Sequence, residues 1–219
     1  MWPRVIPFGL YMAFLFLEGL LSPLWLYPLK TLVVLAALMY YWSQYEELHT
    51  PLWLSCGEGL LALGAGLAVY AAWIHMAWPW ATLGQAAGYN PFHAGESLGL
   101  ALAGIRLFGA AIVVPLMEEL FWRSFLLRFV ITLFPESLKG VTDDFASVPL
   151  GTFTPLSCLV IVLLFGSEHN LWLAGIMAGA VYNLVLYKTQ RLWPCVIAHG
   201  VTNLALGIHV LATGEWQWW

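Results

Sequence analysis

Seven apolar runs, at about residues 5–22, 28–45, 57–78, 97–133, 155–169, 171–188 and 193–212, leave this chain one class of fold. In hydrocarbon only a structure that satisfies its own backbone groups survives, so an apolar run of roughly 20 residues reads as a membrane helix. Composition excludes the alternative of a water-soluble globule. Of 219 residues, 61% are hydrophobic and 9% charged, and mean hydropathy is +0.80. Soluble domains carry about 25% charged residues. Trp25, Tyr27, Tyr40, Tyr41, Trp42, Trp78, Trp80, Trp193, Trp218 and Trp219 sit at run ends, as an aromatic belt at headgroup level requires.

The expected fold is an all-α polytopic transmembrane bundle of about seven spans. The fourth run is long enough for a kink at Pro115, or for two pieces and an eighth span. One membrane domain, 1–219, is expected, with the opening run read as a retained helix because no small-residue cleavage site follows it. Ser22-Pro23, His49-Thr50-Pro51, Gly88-Tyr89-Asn90-Pro91 and Pro135-Glu136-Ser137 punctuate the runs, and the longest polar stretch, about 135–154, carries Lys139, Asp143 and Asp144.

A cytoplasmic N-terminus places Arg4, Arg128, Lys139, Lys188 and Arg191 on the inner face and Lys30 alone on the outer. That predicts N-in and C-out. The 43–57 loop runs against it, with Glu46, Glu47 and Glu58 and no Lys or Arg. Eight Lys/Arg form no basic patch, which excludes a nucleic-acid partner. Cys56, Cys158 and Cys195 lack metal or redox spacing and read as packing residues.

Charges inside apolar runs are costly, so each is a functional candidate. In Pro115-Leu-Met-Glu-Glu-Leu-Phe-Trp-Arg123, Glu119 and Arg123 are i, i+4 and can pair, whereas Glu118 lies about 140° from Arg123 around the helix. One carboxylate is thus structural and the other open to chemistry. Phe165 and His169 share a face, as do His199 and Asn203. Counted at about 1.5 Å per residue from the inner helix ends, Glu118 and Glu119 lie about 20 Å deep, His169 about 21 Å, and His199 and Asn203 about 9–15 Å. The layers overlap. Read structurally, the same residues would be an ion-pair knot, a helix-end histidine and an interhelical hydrogen bond. Phe165 is a cavity-wall candidate. Glu18, His75, Arg106 and His209 are bundle-facing or interfacial candidates, and Gly175-x-x-x-Gly179 marks a close helix approach.

Glu118-Glu119-x-x-x-Arg123, Phe165-x-x-x-His169 and His199-x-x-x-Asn203, in that order on separate apolar runs, resemble the CAAX protease and bacteriocin-processing (Abi) family, which includes the type II CAAX prenyl endopeptidases. The resemblance covers about 97–212, the expected catalytic core. It implies a helical membrane fold with a cavity opening to the cytoplasm, and hydrolysis of a peptide or protein substrate near that face without a covalent intermediate. Glu118 and His169 would activate water, His199 and Asn203 would stabilise the oxyanion, and Glu119 and Arg123 would organise the site. Glu168 departs from the family pattern, where a small or apolar residue is expected. No cofactor or metal is implied. A zinc-dependent protease is the catalytic alternative, although the chain has no His-Glu-x-x-His. A non-catalytic peptide-binding or immunity-type protein is the other. Neither the substrate nor the oligomeric state is set by the sequence.

Overall fold

A computed structural model describes residues 1–17, 20–84, 88–134 and 144–219. Glu18 and the segment 135–143, with Pro135, Glu136, Ser137, Lys139 and Asp143, lie outside the described residues. Within them the regular structure is helical: α1 (Trp2–Leu15), α2 (Pro23–Tyr40), α3 (Cys56–His75), α4 (Glu96–Thr132), α5 (Pro155–Ser167), α6 (Trp172–Thr189) and α7 (Leu192–Thr213), with short 3-10 turns between them. Leucines spread over the helices are exposed, among them Leu32, Leu60, Leu100, Leu159 and Leu184. So wide an apolar exterior suits lipid and not water.

Among the described residues, Cys56–His75, Glu96–Thr132 and Leu192–Thr213 are long and apolar enough to cross a bilayer, while Leu24–Tyr40 and Pro155–Ser167 are apolar but shorter. The first helix ends at Leu15, short of the expected residue 22. At 13 residues, or about 20 Å, α5 falls short of the hydrocarbon thickness. Its C-terminal turn therefore stops at the depth of the middle of α4.

The fourth run is one continuous 37-residue helix, neither broken nor divided at Pro115. Two wide π turns, Gly109–Val113 and Leu120–Leu126, flank Glu118 and Glu119. The first has a local cause. Pro115 has no N–H, and its ring crowds the carbonyl one turn back. The helix responds by widening, so the Val114 N–H bonds to the Gly109 carbonyl five residues back.

The helices alternate in direction, and two ends can be distinguished by their contacts. At one, the basal end, the start of α1 meets the α2–α3 loop through Arg4 and Glu47, and the start of α7 meets α3 through Arg191 and Glu58 at 2.9 Å. At the other, the distal end, the Leu83 N–H donates to the Asn170 carbonyl at 2.7 Å, Trp80 meets Trp172, and Phe92 meets Trp216. The acidic 43–57 loop is thereby explained: Glu47 and Glu58 are matched by cations arriving from α1 and α7. Glu58 also closes a capping box with Ser55 at the start of α3, a Ser-x-x-Glu pattern visible in the sequence. The thiols divide: Cys195 is buried and Cys158 half-buried as packing residues would be, whereas Cys56 is exposed on the first turn of α3.

Arg4 is 8% exposed and bonds Glu47 through Nε at 2.7 Å, and Ser124 at 3.1 Å. Ser124 in turn bonds Glu47 and accepts from Arg128 Nη2 at 2.8 Å. Burial pushes the Glu47 carboxyl up, but the Arg4 hydrogen bond and charge and the Ser124 hydroxyl outweigh it and hold the group below its ordinary value. A carboxyl depressed on folding adds stability above its unfolded pKa of about 4.3, and that contribution is lost as pH falls through the folded value. Thermal unfolding in detergent should therefore be flat from about pH 7 to 5 and drop below about pH 4. Arg4→Ala should cost about 3–5 kcal/mol at neutral pH by stranding Glu47, and Glu47→Gln added to it should recover part of the loss.

Candidate active site

The polar centre is built on α4. Glu119 and Arg123 are both fully buried, and Arg123 Nη1 donates to Glu119 Oε1 at 3.1 Å. A guanidinium has five N–H donors to satisfy. Here Nε meets Asn183 Oδ1 and Nη2 meets the Gly179 carbonyl, both at 3.3 Å, while the Phe165 ring lies 4.4 Å from the guanidinium carbon. The glycines of α6 make this possible. A Cβ on Gly179 would come within 3.3 Å of Phe165, and one on Gly175 within 3.0 Å of Gly166 and 3.2 Å of His169 Nδ1.

Glu119 Oε1 also accepts from His199 Nδ1 at 2.9 Å. The imidazole is stacked on Tyr182, centroids 5.0 Å apart, and the Tyr182 hydroxyl is fixed by Thr202 at 2.8 Å. With Nδ1 directed at Glu119, Nε2 points at Glu118, 4.0 Å from Oε2. Glu118 is 6% exposed, and its Oε2 has no hydrogen-bond partner among the described residues. The two carboxylates therefore differ as the spacing predicts: Glu119 is tied to a guanidinium and an imidazole, and Glu118 is turned into open space.

His169 follows the end of α5. Its Nδ1 lies 2.7 Å from the Phe165 carbonyl, which can only accept, so Nδ1 carries the proton and Nε2 is left as the acceptor in the neutral ring. Glu168 does not point away. It accepts from Trp122 Nε1 at 3.1 Å, and one ligand atom from each of Glu118, Glu168 and His169 lies within 4.8 Å of the others. The sunken α5–α6 turn thus delivers a second carboxylate and an imidazole to the free face of Glu118.

These groups line a cavity of about 810 Å³. Glu118, His199, Thr202, Tyr182 and Phe165 form its buried floor, and Trp73 forms part of the wall. Its exposed lining residues are Ala77, Gly84, Asn170 and Gln217, all in distal loops. The mouth is therefore at the end away from Arg4 and Arg191. A cytoplasmic N-terminus and a cytoplasmic mouth, both expected from the sequence, exclude each other.

Asn203 lines the cavity, yet its amide Nδ2 donates to the Ala110 carbonyl at 2.8 Å. Pro115 accounts for this contact. Ala110 would accept from residue 114 in an α turn or residue 115 in a π turn. Val114 is committed to Gly109, and Pro115 has no N–H. Asn203 supplies the missing donor across the α4–α7 interface. Of the groups outside the sequence motifs, Asn183 was discoverable as an amide in an apolar run, whereas Tyr182 and Thr202 carry no signal beyond ordinary packing. Arg106, over the rings of Tyr27 and Trp219 on the cavity wall, is a cavity residue as well as a bundle-facing one. Of the other polar candidates, His209 bonds Tyr70 at 3.0 Å at the distal end, and His75 is exposed.

Residues 100–205 match the protein family described as type II CAAX prenyl endopeptidase Rce1-like. No curated protein and no solved structure matches the chain.

The Pro115–Asn203 relation is open to a double-mutant cycle. Asn203→Ala should cost about 1–3 kcal/mol by orphaning the Ala110 carbonyl. Pro115→Ala restores a backbone N–H to that turn, so Asn203→Ala should cost less in that background, measured as a smaller loss of melting temperature.

Proposed function

From the match of residues 100–205 to the family described as type II CAAX prenyl endopeptidase Rce1-like, we propose that this chain is an intramembrane glutamate-dependent endopeptidase of seven membrane passes. The observation that carries the reading is that Glu118, whose Oε2 has no hydrogen-bond partner among the described residues, and His169, whose Nε2 is left to accept, line one cavity with a ligand atom of each within 4.8 Å of the other. A water held between them is a nucleophile with a base on each side. Glu118 takes a proton as the water oxygen adds to the peptide carbonyl carbon. The proton then passes to the amide nitrogen as the C–N bond breaks, leaving a carboxylic acid and an amine. His199, held through Nδ1 by Glu119, faces the same volume with Nε2 and donates to the oxyanion when that nitrogen carries a proton.

Glu119 and Arg123 act as positioning residues. Asn203, bonded to Ala110 through one amide N–H, fixes the α4–α7 contact and keeps a second N–H that can serve an oxyanion. Glu168 departs from the family pattern and sets a second carboxylate beside Glu118.

The same three ligand atoms favour a second reading, a divalent cation held by Glu118, Glu168 and His169. Neutral imidazole and carboxylate oxygens suit zinc. The two readings separate on Glu168. Without a metal, Glu168→Gln should retain measurable turnover with an altered pH profile, and purified protein should be indifferent to chelators. A zinc enzyme should contain stoichiometric metal and lose both metal and activity on that substitution. For either, Glu118→Gln should lower cleavage at least about 10²–10⁴-fold, and His169→Ala should lower it comparably, with the fold retained. Undiminished cleavage by Glu118→Gln would rule out Glu118 as the base, whereas full biological function and partner binding without any cleavage would favour the non-catalytic, peptide-binding alternative.

A further inference from the structure

The proposed protease site and the charge distribution have a joint consequence for which side of the membrane supplies the substrate. Of the eight Lys/Arg in the chain, Lys30, Arg106 and Arg123 lie in helix interiors; Lys30, taken in the sequence as an outer-face charge, is buried over the Tyr11 ring at 4.3 Å, and Arg106 lies on the distal side over the rings of Tyr89 and Trp219. The remaining five are Arg4, Arg128, Lys139, Lys188 and Arg191. Arg4 lies on the first turn of α1, Arg128 near the end of α4, Lys188 on the last turn of α6 and Arg191 just before α7, all at the basal end. Lys139 lies in the segment that joins the basal ends of α4 and α5. The distal connections, 16–22, 76–95, 168–171 and 214–219, contain no Lys or Arg at all.

Orientation in the membrane follows Lys and Arg in short loops, and acidic residues count for little. The acids that weakened the basal assignment, Glu47 and Glu58, are in any case paired with basal arginines. Five Lys/Arg at or beside the basal end, against Arg106 on the distal side, favour a cytoplasmic basal end. The cavity mouth, marked by exposed Gly84, Asn170 and Gln217, is at the other end.

We infer that the cavity opens on the extracytoplasmic side, so that the substrates are apolar segments of exported or membrane-inserted polypeptides presented at that face, and not prenylated carboxyl termini made in the cytoplasm. The substrate class rests on the protease reading, whereas the orientation does not. The walls suit such a segment. Trp73, Phe165 and Tyr182 offer aromatic faces to an extended chain that reaches down to Glu118. Extended peptide advances about 3.4 Å per residue, so several residues can enter from the mouth before a peptide bond reaches the floor.

The chain carries its own control for a labelling test. Native Cys56 is exposed at the basal end, and Gln217 is exposed at the mouth. In intact cells expressing full-length Gln217→Cys, a membrane-impermeant maleimide should modify the new thiol at position 217. It should leave Cys56 unmodified until the membrane is permeabilised, with peptide mapping identifying the labelled site. Asn170→Cys provides a second mouth position if the first variant fails to accumulate, and a phosphatase fused after Trp219 should be active. Modification of Cys56 with protection of position 217, or modification of both before permeabilisation, overturns the inference and leaves the protease reading standing. Retained cleavage by Glu118→Gln with the expected labelling does the reverse: the mouth faces outward, and the site is not a glutamate protease.

Discussion

Glu119 has no access to water, and one of its oxygens is shared by a guanidinium from its own helix and an imidazole from α7. A buried carboxylate is tolerated only where charge and hydrogen bonds compensate for lost hydration, and removing either partner strands it. The compensation recruits much of the α4–α7 half. Arg123 reaches onward to α6 through Asn183 and Gly179, and His199 is braced by Tyr182 and Thr202. Three helices are thereby registered against one another to within a hydrogen bond. Glu118, one residue earlier, inherits a fixed position without using its own oxygens to obtain it.

The α4–α5 side of the site is organised differently. Among the described residues no ion pair holds His169 in place; a short helix and the Phe165 carbonyl do. Because α5 stops level with the middle of α4, the turn after it brings Glu168 and His169 to the depth of Glu118. The proline-induced π turn on α4 likewise converts a backbone defect into an interhelical contact through Asn203. In both places irregular backbone lies where the cavity needs polar groups, and it is tolerated because neighbouring side chains or the cavity satisfy it.

Much of this was legible in the sequence, for identifiable reasons. The apolar runs located the seven long helices of the described residues because hydrophobicity in a bilayer is a one-dimensional constraint. The i, i+4 relation separated Glu119 from Glu118 because helical angles are local. The residues that resisted reading depend on partners distant in sequence. Arg4 finds Glu47 and Ser124 across 43 and 120 positions. Nothing in a local pattern says that Glu168 turns inward to Trp122, or that Asn203 answers a carbonyl freed by Pro115. The direction of the mouth was likewise out of reach, since it depends on which ends of the helices splay.

The shortness of α5 also bears on the membrane itself. A helix of about 20 Å beside neighbours that span about 30 Å leaves roughly a third of the hydrocarbon thickness with no α5 flank to seal it. Lipid meets such a mismatch by thinning, and water and headgroups descend where it does. Such a dent would lie on the mouth side, above Asn170. Hydrolysis requires a steady supply of water at a depth where the bilayer ordinarily excludes it, and this local deformation would shorten the path that water must travel. The lipid composition of the host membrane then becomes a determinant of rate, with thicker bilayers sealing the dent and thinner ones widening it.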